Sequence, residues 1–207
     1  MRARLLTLSV LGLVALVGCG DDPGPSNQQN PQEFITDVIL TFAPTTGVAI
    51  IASSSDDDGN GTIDMQDTIT LTAGTNYSLS IGLLNSLETP VEDIGLEIAD
   101  EDDEHQFFFT GTGVQSEATG AVANAILTVT YGDMDDNNDP VGLVDNAVTA
   151  NVAGSGEFRV VLRHLPELKV SGLAGTVAND PGGVNAGIAN LPGDSDIDVT
   201  FMLTVGN

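Results

Sequence analysis

An all-β fold, a two-sheet sandwich of immunoglobulin-like or jelly-roll-like type, is predicted by three features of the sequence. Apolar and polar residues alternate with period two along much of the chain. β-Branched residues crowd the alternating runs, and clusters of Gly, Asn, Asp and Pro punctuate them at short intervals. These features are confined to residues 33–207, a length within single-domain range.

Taken in chain order, residues 34–42 (FITDVILTF), 48–52, 68–72 (TITLT) and 77–84 (YSLSIGLL) read as strands. Residues 106–109, 125–131 (AILTVTY), 157–164 (EFRVVLRH) and 197–205 (IDVTFMLTV) complete the set. The segment 91–104 (VEDIGLEIADEDDE) departs from the alternation. Its Ile94 and Ile98 recur at i, i+4, which predicts one short amphipathic helix despite Gly95. Residues 171–190, rich in Gly, Ala, Asn and Val, predict a long loop with one poor edge strand.

The amino terminus is read as a targeting signal. Arg2 and Arg4 give residues 1–18 a positive start, and an uncharged apolar run follows at 5–17. That run is shorter than the roughly 20 residues a membrane-spanning helix needs and has the length of a signal-peptide core. It ends in Leu16-Val17-Gly18-Cys19, which resembles the lipobox of bacterial lipoprotein signal peptides. The resemblance implies cleavage before Cys19, diacylation of its thiol and acylation of the new amine. An ordinary secretory signal with a chance cysteine is the alternative. Cys19 is the only cysteine, so no intramolecular disulfide can form. Acyl chains on Cys19 would hold the protein to a membrane, since each buried CH₂ contributes about 0.8 kcal/mol. Residue 20 is Gly, not the Asp of the inner-membrane retention signal, which favours the outer membrane or cell surface. Residues 19–32, polar and punctuated by proline, read as the lipidated cysteine and a flexible tether.

Charge removes several classes of function. Thirty acids face five Lys and Arg, for a formal net charge of −25. Such a surface repels polyphosphate and anionic lipid, so nucleic-acid binding and electrostatic membrane docking are excluded. No Gly-x-Ser-x-Gly elbow, His-Glu-x-x-His helix or phosphate loop occurs, and the one cysteine is assigned to lipid, so the chain is read as non-catalytic.

Three acidic clusters are candidate cation sites. Counted from Asp56, the run DDDGNGTIDMQD places Asp56, Asp58, Asn60, Asp64 and Asp67 at positions 1, 3, 5, 9 and 12, with Gly61 at 6. That is the oxygen spacing of an EF-hand-type Ca²⁺ loop. Position 12 is Asp rather than Glu, and the flanks read as strands, so the alternatives are a β-flanked Ca²⁺ loop and a solvated hairpin turn. A second run, Asp133, Asp135 and Asn137, has Asn138 where glycine belongs and reads as a turn. Asp194, Asp196 and Asp198 place three carboxylates on one face where the last strand begins.

The two histidines form the other candidate site for metal or ligand. A helix through 97–105 would align Glu97, Glu101 and His105 on one face as a carboxylate–imidazole set for Zn²⁺ or another transition metal. His164 shares strand parity with Phe158, Val160 and Leu162, as His105 does with Phe107 and Phe109. If their strands are neighbours, Glu101, His105 and His164 form one site; otherwise the histidines are hydrogen-bonded residues at the core edge. Arg159 and Arg163 share the opposite face, roughly 13 Å apart, and are expected to neutralise acidic neighbours.

The runs DEHQFFF at 103–109, YGDMD at 131–135 with PVGL at 140–143, and RVVLRHLP at 159–166 together resemble a family of small secreted bacterial lipoproteins. Members are often labelled as belonging to the type 1 periplasmic-binding fold superfamily. The resemblance spans roughly residues 34–205, although the segment before Asp103 lacks the unbroken Glu-rich run of the family. The label implies a two-lobed α/β fold, whereas the residues themselves predict all-β. The resemblance also implies a surface-exposed binding module that captures a nutrient or metal ligand for an outer-membrane uptake receptor. A structural or adhesive acidic module without a small ligand is the alternative.

Overall fold

The computed structural model describes residues 33–206; the expected signal peptide, Cys19 and the expected tether lie outside the described residues. The elements in chain order are β1 (Asp37–Pro44), β2 (Ile50–Ser55), β3 (Met65–Gln66), β4 (Ile69–Thr72), β5 (Asn76–Asn85) and β6 (Glu92–Asp93). Then come α1 (Ile94–Asp100), β7 (His105–Thr110), β8 (Val114–Gln115), β9 (Leu127–Tyr131), β10 (Val144–Thr149) and β11 (Gly154–His164). The helices α2 (Leu173–Ala178) and α3 (Val184–Ala189) precede the closing strand β12 (Asp194–Gly206).

One sheet has the order β3-β2-β1-β5-β10-β9-β8, with β6 paired to β5; the other has the order β4-β12-β11-β7. The two pack face to face as an all-β sandwich, so the two-lobed α/β architecture is not adopted. Alternation drives the packing. Val38, Leu40 and Phe42 of β1, Tyr77, Leu79, Ile81 and Leu83 of β5, and Val199, Phe201, Leu203 and Val205 of β12 all point into one core. Phe42, Phe109 and Phe158 meet at its centre, Phe109 stacked on Phe158 at 5.8 Å and Phe42 edge-on to it.

A second apolar layer lies on the outer face of the smaller sheet. Phe108 and Val161 point away from the first core and are covered by Leu173, Ala174, Val177, Ile188 and Leu191. This explains why Phe107, Phe108 and Phe109 form an unbroken apolar run, since their strand is buried on both faces. It also corrects the expected loop over 171–190, which forms two short helices. Leu173 and Val177, like Val184 and Ile188, are spaced by four and turn toward Phe108 and Val161. Their glycine content masked that period.

The expected short helix is present as α1, with Ile94 and Ile98 as its buried residues. It ends at Asp100, so His105 opens β7 instead of continuing a helical face with Glu97 and Glu101. β10 is a strand that the alternation does not announce. Its inward positions are Asp145, Ala147 and Thr149, while Val144 and Val148 face out. Pairing on both edges, with β5 and β9, holds it in the sheet.

The second acidic run is a turn, as expected, and it encloses a cation from the chain itself. Asp133 accepts hydrogen bonds from the amides of Gly142, Leu143 and Val144. Asp135 accepts from Asn137 and Asp139, and Asn138 takes the left-handed conformation at φ 67°. The Lys169 ammonium lies 2.9 Å from Asp135 with both side chains buried, and it also donates to the Asp102 carbonyl.

Candidate functional site

β7 and β11 are antiparallel neighbours whose register places His105 directly opposite His164. The strand condition for a shared site is therefore met. The two imidazoles stack with centroids 4.7 Å apart and planes within 7°. Both are buried, His105 completely.

His105 is oriented from behind. Its Nδ1–H donates to the Glu101 carbonyl at 3.1 Å, because a carbonyl can only accept. In the neutral ring this leaves Nε2 as a bare lone pair, and Nε2 faces two carboxylates. Glu33 Oε2 is 3.4 Å away and Asp196 Oδ2 is 3.8 Å away. Ligand atoms of Glu33, His105 and His164 all lie within 4.8 Å of one another. His164 Nε2 also lies 3.5 Å from Glu104 Oε2.

Asp196 reaches this position through a defect in the sheet. Pairing between β11 and β12 matches Leu162 with Ile197 and then Arg163 with Ser195, so Asp196 is bulged out of the ladder. A bulge re-aims the side chain of its extra residue. Asp196 therefore turns inward to complete burial, whereas Asp198 stays outside and forms a bidentate pair with Arg159. The expected row of Asp194, Asp196 and Asp198 on one face is thus split. The second expected cation, Arg163, binds Ser195 Oγ and the carbonyls of Leu191, Pro192 and Gly193, fixing the loop that feeds the bulge. Gly193 has φ 72°, and a Cβ there would lie 1.9 Å from the His164 carbonyl oxygen, so no larger residue fits.

The electrostatics are those of a crowded buried cluster. Burial alone would lower His105, but Glu33, the Glu101 carbonyl and Asp196 outweigh it and raise the imidazole. Burial pushes Glu33 up, yet the facing His105 holds it below the usual carboxylate range. Asp196 is pushed up to about 7, first by burial and then by the charge of Glu33. His105 Nε2, Glu33 Oε2 and both Asp196 oxygens are buried and make no hydrogen bond among the described residues. A structural core rarely leaves four such atoms together, because each buried unpaired polar group costs about 1–3 kcal/mol.

Of the residues singled out from sequence, His105 and His164 are brought together. Glu101 contributes its carbonyl to His105, and the carboxylates grouped with the imidazoles come from Glu33 and Asp196. Phe107 to Phe109 are buried core rather than the wall of a cavity. A groove of about 860 Å³ lies elsewhere, lined by Thr110, Thr112, Glu157, Arg159 and Asn185 among others. A smaller hollow of about 190 Å³ lies beside the first acidic loop, with Asp56, Gly61 and Asp196 among the residues on its wall.

In the first acidic loop, carboxylate oxygens of Asp56, Asp58 and Asp64 gather within 4.8 Å of one another. Gly61 makes the turn at φ 82°, as its position requires. Asn60 Oδ1 accepts from the Thr62 amide, and Asp67 is turned away to accept from the Ser53 amide and hydroxyl at 2.9 Å. The flanks are the strands β2 and β3, paired as a hairpin. No family model, curated protein or solved structure matches this chain.

Proposed function

We propose that the chain is a non-catalytic binding module, tethered outside the cytoplasm by acyl chains on Cys19, that takes its ligand at the buried imidazole–carboxylate centre. The observation that carries this reading is the set of four buried polar atoms on His105, Glu33 and Asp196 that contact one another only as long ion pairs and make no hydrogen bond among the described residues. Such a centre is costly to a core and useful to a ligand, which would satisfy all four at once. Three of its four side chains stand on the adjacent strands β7, β11 and β12, a rigid frame that suits binding. An outer-membrane uptake receptor is the partner to which such a module would pass its cargo.

The reading is tested by the stability of the ligand-free full chain. Asp196→Asn keeps the shape while removing a buried acid, so its thermal midpoint should rise above that of the parent. A fall, or no change, would remove the argument that the centre is kept at the expense of stability.

Two further parts of the reading have their own measurements. Ca²⁺ at the first acidic loop would stiffen the β2–β3 hairpin, with Asp56, Asp58 and Asp64 as ligands. Millimolar Ca²⁺ should then raise the thermal midpoint of the parent and leave Asp56→Ala/Asp58→Ala unmoved; equal responses would point to non-specific screening. For the anchor, metabolic labelling with an alkyne fatty acid should mark the protein in cells and fail to mark Cys19→Ser. Label retained in that variant would place the lipid elsewhere.

A further inference from the structure

We infer that the buried centre is a mononuclear site for a divalent transition metal of the Zn²⁺ class, held, once the stacked rings turn toward the ion, by one nitrogen each from His105 and His164 and one carboxylate oxygen from Glu33, with Asp196 beside His105 to complete the set. The inference rests on the preceding reading of this centre as the ligand site and names the ligand's chemical class.

The donor set selects the class. Two imidazoles suit Zn²⁺ and its first-row neighbours, whereas Ca²⁺ and Mg²⁺ prefer all-oxygen shells. Among the four donors there is no thiolate or thioether, the ligands that favour Cu⁺. Zn–N and Zn–O bonds of about 2.0–2.1 Å in a tetrahedron put neighbouring donors about 3.3 Å apart. The His105–Glu33 and His105–Asp196 separations of 3.4 and 3.8 Å already approach that edge.

The surroundings are those of a metal-binding imidazole. A ligating histidine usually donates its other ring N–H to a carbonyl or carboxylate, which fixes tautomer and ring plane. The His105 Nδ1–H to Glu101 carbonyl bond does this and aims Nε2 at the carboxylates. The second and independent observation is Asp196, whose two buried oxygens make no hydrogen bond among the described residues although a bulge is spent on turning them inward.

The test is titration of the full chain with Co²⁺, a coloured substitute for Zn²⁺, in millimolar Ca²⁺ to fill the acidic loop. The expected result is strong visible absorption of four-coordinate Co²⁺, saturating at one equivalent and erased by Zn²⁺. Glu33→Gln and Asp196→Asn, which preserve shape and should fold, should each weaken Co²⁺ at least about tenfold. His105→Ala should abolish the spectrum, and Asp56→Ala/Asp58→Ala should leave it unchanged. A folded parent that gives no such spectrum, or a spectrum lost with Asp56 and Asp58 but kept in Asp196→Asn, would overturn the metal assignment. If Asp196→Asn is nevertheless stabilising, a ligand site of other chemistry stands; if it is not, the ligand-site reading falls as well.

Discussion

Asp145→Asn should stabilise the protein by an amount that grows with pH. Asp145 is buried on the inner face of β10, and neither carboxylate oxygen makes a hydrogen bond among the described residues. Burial, reinforced by the charge of Asp133, pushes its carboxyl up to about 9. The unfolded chain releases the same proton near the ordinary value of about 3.9. Between these limits the folded state holds a proton that the unfolded state has lost. Stability therefore falls as pH rises, by about 1.4 kcal/mol per unit. At pH 7 the accumulated cost is roughly 4 kcal/mol, and an asparagine of the same shape does not incur it. Urea unfolding of parent and variant across pH 4–9 should give curves that meet near pH 4 and diverge steadily above it. Parallel curves would mean that Asp145 titrates normally in the fold.

Lys169→Met should be among the most destabilising single changes. It leaves the Asp135 carboxylate buried without its cation, and breaking one side of a buried pair costs about 3–5 kcal/mol. In a domain of this size the thermal midpoint should fall by about 10 °C. Adding Asp135→Asn should restore much of the loss, because the amide oxygen can still accept from Asn137 and Asp139 while the stranded charge is gone. A double variant no better than Lys169→Met would show that the lysine acts through its hydrogen bond to the Asp102 carbonyl and its packing instead.

Where local pattern and tertiary burial agree, the sequence is informative. Alternation marks β1, β5 and β12 because each has one face in the core and one in solvent. Ile94 and Ile98 mark α1, and strand parity puts both histidines in line with core phenylalanines. Pattern and burial conflict at β10, where an inward acid and outward valines invert the code. At α2 and α3 the glycines hide a four-residue period that matters only because Phe108 and Val161 need a cover. The centre was half legible. His105 and His164 carry a readable parity, but Glu33 reaches them from the chain entering β1, and nothing local to Glu33 marks that contact. Asp196 belongs to a visible acidic cluster, yet only the bulge opposite Leu162 and Arg163 separates it from Asp194 and Asp198.

The most direct observation would be anomalous diffraction at the zinc edge, from crystals of the protein grown with one equivalent of Zn²⁺ and excess Ca²⁺. The expected result is a single strong peak bounded by His105, His164, Glu33 and Asp196. A peak only among Asp56, Asp58 and Asp64, or an imidazole cluster that excludes zinc at full occupancy of the loop, would contradict a metal centre in this sandwich.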